Sequence, residues 1–67
     1  MFDITIDGKT YDYIDKYEID NHTYVVFEDE YSIYVNEIIL DNNQTKFVPI
    51  NIELQKQVLA ALEIDYE

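Results

Sequence analysis

Phe2, Ile4 and Ile6 alternate with Asp3, Thr5 and Asp7, the period-two pattern of a strand with one apolar and one polar face. Asp7-Gly8 ends it, and places the only glycine of the chain where a tight hairpin needs a positive φ. A second strand follows at once. Tyr11 and Tyr13 alternate with Asp12, and Tyr17 and Ile19 alternate with Glu18, but Ile14 breaks the parity between the two halves. A bulge or bend near Asp15-Lys16 restores it. Asp20-Asn21-His22 reads as a turn, Thr23 to Glu28 as a third strand rich in β-branched and aromatic residues, and the triplet Glu28-Asp29-Glu30 as a solvated reversal. Tyr31 to Leu40 then forms a fourth strand, with Ile33 and Val35 on the face of Tyr31, and Tyr34 and Ile38 on the other. Asp41-Asn42-Asn43-Gln44 is a turn by composition. Thr45 to Val48 is a short edge strand closed by Pro49, which has no N–H to give to a ladder.

The pattern changes period after Pro49. Asn51 is a good helix N-cap, Glu53 suits the positive end of the helix dipole, and Leu54, Val58, Ala61 and Leu62 recur at i, i+4, i+7 and i+8. The expectation is an α+β fold in one domain over residues 1–67. It is an antiparallel meander with strands over about 2–6, 10–19, 23–28, 31–40 and 45–48, and one C-terminal helix over about 52–63 packed on the sheet.

Composition sharpens this picture. The chain has 67 residues, enough for a single small core, and 48% of them are apolar, too many for a disordered acidic tail. It has no cysteine, so neither disulfides nor thiolate-bound metal supply stability. The opening Met1-Phe2-Asp3-Ile4 has no basic segment, and no apolar run approaches a membrane span. The expectation is a cytoplasmic protein.

Fifteen acids face four lysines, a formal charge of −11. Residues 1–41 hold eleven acids and two lysines, so the sheet carries most of the field. Such a charge repels nucleic acid and anionic membranes and attracts basic protein surfaces. The partner expected is therefore a protein with a basic surface, such as a nucleic-acid enzyme or a defence nuclease, with no direct nucleic-acid or membrane binding.

Catalysis finds no support. The single histidine, His22, lies in a turn, and Ser32, the sole serine, is ten residues away on another strand. Carboxylates such as Asp12 and Asp15 sit among other carboxylates with no sheltering pocket in prospect. No catalytic residue, cofactor or metal ligand is assigned. Glu28-Asp29-Glu30 and Asp41-Asn42-Asn43 are oxygen-rich, but neither has EF-hand spacing. Asn21-His22-Thr23 and Asn43-Gln44-Thr45 match the glycosylation pattern by chance.

Two surfaces are candidates for a binding role. Carboxylates repeated along and across strands make a regular negative array that imitates nucleic-acid phosphates. Asp3, Asp12, Asp15, Glu18, Asp20, Glu28, Asp29 and Glu30 are its members. The plainer reading of the same acids is solubility and protection of sheet edges. Tyrosines beside acids are the second surface: Tyr11, Tyr31 and Tyr34, with Ile38, offer contact area for a partner or for a second copy, while Tyr13, Tyr17 and Tyr24 suit a half-buried sheet.

Several segments together resemble a family of short acidic proteins of Gram-positive bacteria and their phages, the YrzB-like family. They are Ile4-Thr5-Ile6-Asp7-Gly8, Tyr17-Glu18-Ile19, Thr23-Tyr24-Val25-Val26-Phe27, Phe47-Val48-Pro49-Ile50 and Ala60-Ala61-Leu62-Glu63. The chain lacks the acid-rich insertion and tail of that family, and the resemblance implies a fold without implying catalytic residues. The leading expectation is an inhibitor, phage-encoded in one version, that blocks a basic nucleic-acid site by DNA mimicry. The alternative is an accessory protein or a non-mimic inhibitor that docks through the tyrosine and apolar surface, or self-associates through it.

Overall fold

The computed structural model describes residues 2–64. Five strands form one antiparallel sheet in chain order, β1 (Asp3–Ile6), β2 (Lys9–Ile19), β3 (His22–Glu28), β4 (Ile33–Asp41) and β5 (Gln44–Pro49), followed by the helix α1 (Ile52–Ala61). This is the α+β meander that the periodicity predicts. Three of its four hairpins turn on two residues that both have positive φ: Asp7-Gly8, Asp20-Asn21 and Asn42-Asn43. A two-residue turn that matches the twist of its strands requires that conformation, and Gly, Asn and Asp adopt it at least cost.

The register slips between Tyr13 and Asp15, so the bulge falls at Ile14, one residue before the expected position. It has a packing consequence. Before the bulge Tyr13 stands opposite Phe27, and after it Tyr17 stands opposite Tyr24, so the two halves of β2 send their aromatic residues to opposite faces of the sheet.

One face packs against α1. Tyr24, Val26 and Val35 meet Val58 and Leu59, with Ile14, Tyr17, Ile33 and Leu54 around them. Val26 is fully buried, worth about 1.5–3 kcal/mol for a side chain of its size. Asn51 caps the helix, its Oδ1 accepting from Leu54 N–H at 2.8 Å. At the other end Ile64 N–H donates to Leu59 C=O at 2.9 Å and Glu63 N–H to Ala60 C=O at 3.1 Å, with Glu63 at φ 56°. These bonds make a Schellman motif with a glutamate where glycine is usual. Ile64 packs against the core from there. Leu59 is the deep contact that the i, i+4, i+7 reading passes over, and Ala61 is exposed.

The opposite face is also apolar. Val25 and Phe27 point away from α1, yet they are 2% and 3% exposed. The curl of the sheet covers them: Thr5–Asp7 near the end of β1 and Thr45–Val48 of β5 line one cleft, so the two edges converge. Inside lie Tyr11, Phe27 and Tyr34, with ring centroids 4.8–5.6 Å apart. Ile4 and Tyr13 share this face with them, so the residues read as apolar in β1 and the first half of β2 close a second core rather than meeting the helix. Tyr31 precedes β4 and lies in the loop, so it does not share a strand face with Ile33 and Val35 as the alternation suggests.

Candidate partner-binding surface

Asp29 organises the β3–β4 loop. Its Oδ1 accepts from the N–H groups of Tyr31 at 2.8 Å and Ser32 at 2.9 Å, while Oδ2 accepts from Lys9 Nζ at 3.0 Å and the Tyr34 hydroxyl at 2.9 Å. The Tyr31 N–H does most to hold this carboxyl well below the usual carboxylate range. Lys9, Ser32 and Tyr34 act the same way, against the opposing effect of burial. The hydrogen bond to Asp29 raises the pKa of Lys9 and is also the main cause of the raised pKa of Tyr34. Every lone-pair direction of Asp29 is thus engaged inside the molecule. Tyr34 is likewise committed: its ring stacks on Phe27 at 5.4 Å and 22°, and its hydroxyl is bound to Asp29.

The remaining predicted residues divide into two groups. Asp3 stands opposite Asp12, and Asp12 stands opposite Glu28, so three carboxylates form a row across β1, β2 and β3. Facing residues on adjacent strands have Cβ atoms roughly 5 Å apart, so the row spans about 10 Å. Among the described residues none of the three has a cation within 4 Å; the lysines and histidine that pair do so with Asp29, Glu18, Glu37 and Asp41. Glu30 and Tyr31, the latter 84% exposed, lie at the loop tip and line one cleft with Asp12 and Glu28. Clefts of about 440 and 430 Å³ flank this loop, one toward Ile52 and Lys56 of α1, the other toward Thr10 and Asp12 of β2.

Asp15, Glu18 and Asp20 do not join the row. Asp15 lies at the bulge, its Oδ1 accepting from Lys16 N–H at 2.7 Å. Glu18 faces Thr23 and pairs with Lys16 at 3.3 Å, and Asp20 occupies the β2–β3 turn. Lys9 was not legible as part of the site, because its pairing with Asp29 twenty residues away exists only once β1, β2 and the loop have folded together.

Among the described residues no three His, Asp or Glu side chains are arranged to hold a metal ion, and no helix is long and apolar enough to cross a membrane. In comparisons with protein-family models, curated proteins and solved structures, the chain matches none.

Proposed function

We propose that this protein is a non-catalytic inhibitor that occupies the basic nucleic-acid-binding surface of a partner protein by presenting carboxylates in place of phosphates. The observation that carries this reading is the row Asp3, Asp12 and Glu28, which no cation among the described residues pairs. Like charges facing each other across strands cost stability, about 0.2–1 kcal/mol per pair. Solubility alone does not call for that cost, since the same acids staggered along the strands give the same net charge. A row of carboxylates held by ladder hydrogen bonds is also rigid, so little ordering entropy is lost when a lysine- and arginine-lined groove closes on it. Glu30 and Tyr31 supply a charge and an aromatic contact beside Asp12 and Glu28.

The experiment is affinity capture from a nuclease-treated lysate with the wild-type chain beside a variant carrying Asp3→Asn, Asp12→Asn and Glu28→Gln. Mimicry requires a DNA-binding protein on the wild type that is lost from the variant. The same partner held equally by both would remove the row from the account and leave docking through a tyrosine and apolar surface, the second reading, with Tyr31 as its exposed member.

A further inference from the structure

The five strands alternate in direction, so β1 and β5, the two edges, run the same way. They converge on one cleft of about 410 Å³ without pairing, and among the described residues each has a single neighbour in the sheet. Direct closure would require a parallel pair between them. One strand running antiparallel to both would instead complete a six-stranded, fully antiparallel barrel.

The register shows which backbone groups face that cleft. Tyr13 N–H donates to Phe2 C=O at 2.9 Å, which fixes the alternation on β1: Ile4 and Ile6 bond to Tyr11 and Lys9, and the N–H and C=O of Asp3 and Thr5 point away from β2. On β5 the two-residue turn makes Asp41 and Gln44 a hydrogen-bonded pair. Lys46 and Val48 therefore bond to β4, while Thr45, Phe47 and Pro49 point outward. Pro49 suits that position, since the N–H it lacks would face away from β4. Thr5, Thr45 and Phe47 thus present backbone donors and acceptors with no ladder partner among the described residues.

We infer that the β1–β5 cleft receives an extended segment of a partner protein, which adds as a sixth strand. Its side chains alternate. Those pointing inward meet Ile6 and Phe47 and are apolar; those pointing outward lie between Thr5 and Asp7 on one edge and Lys46, already paired with Asp41, on the other, in the field of a −11 chain, and are basic. This inference is independent of DNA mimicry, because it rests on edge backbone rather than on the carboxylate row.

The test is amide hydrogen exchange by NMR on the full chain, alone and with an eight-residue peptide alternating valine and lysine. The same peptide N-methylated at every second residue is the control. The Thr5, Thr45 and Phe47 amides should exchange rapidly in the free protein and slow at least tenfold with the first peptide but not with the second. Thr45→Pro removes one outward N–H at an edge position that tolerates proline, and should weaken binding roughly fivefold. Three results would overturn the inference: no slowing at those amides, equal binding of the N-methylated peptide, or protection in the free protein that rises with its concentration, which would make a second copy the occupant.

Discussion

Asp3 on β1 stands directly across from Asp12 on β2, with no cation near either carboxylate among the described residues. Glu28 continues the row on the far side of Asp12. Asp12, with a like charge on each side, is the residue whose removal relieves the most repulsion.

Asp12→Thr should therefore stabilise the protein by about 0.5–1 kcal/mol, a rise in Tm of roughly 2–8 °C for a domain of this size. Added salt should stabilise the wild type more than the variant, because screening removes the same repulsion. Thermal unfolding at low and high salt measures both. A variant less stable than wild type would show that the row is not under electrostatic strain.

Glu63 sits at φ 56° in the Schellman motif that ends α1. An L-residue in that conformation costs about 1 kcal/mol, and a negative charge there opposes the helix dipole. Glu63→Gly should raise Tm by roughly 4–8 °C. Glu63→Gln, which removes the charge but keeps the Cβ, should gain less.

Acid sensitivity should centre on Asp29. Its carboxyl titrates below its ordinary value in the folded protein, so the stability it confers is present above about pH 4 and is lost as pH falls toward the lower folded value. Asp29→Asn keeps an acceptor for the Tyr31 and Ser32 amides and gives up the bonds from Lys9 and Tyr34. Denaturant unfolding should place the variant below wild type at pH 7, with the gap narrowing as pH falls below 4. A constant gap would mean that ionised Asp29 contributes nothing that Asn cannot.

Phe27→Ala should cost about 3–5 kcal/mol and leave little folded protein, because Phe27 belongs to a core on the face away from the helix. Circular dichroism with denaturant titration reads this directly. A loss under 1 kcal/mol would mean that this face is open to solvent.

The alternation of Phe2, Ile4 and Ile6, the Asp-Gly and Asn-Asn turns, the parity break at Ile14 and the Asn51 cap made the strand order and the helix legible from sequence. These are local signals, each resting on a few neighbouring residues. The curl of the sheet is not local. Tyr34 and Ile38 on a face opposite Ile33 and Val35 fit a second core and an open surface equally well until the edges of β1 and β5 are seen to converge. The carboxylate row was hidden for a related reason. Which acids face one another depends on registers set by two-residue turns and a bulge, so Asp3, Asp12 and Glu28 came together while Asp15, Glu18 and Asp20 did not. Asp29 read as one more acid in a triplet, and only its four donors distinguish it from Glu28 and Glu30.

The most direct test of mimicry is competition. The captured partner is held on immobilised wild-type protein at moderate salt and titrated with duplex DNA. Under mimicry DNA displaces the partner, rising salt does the same, and the Asp3→Asn, Asp12→Asn, Glu28→Gln variant fails to hold it at all. A partner that stays bound through high salt and through excess DNA would contradict the account and make the carboxylate row a solubilising surface.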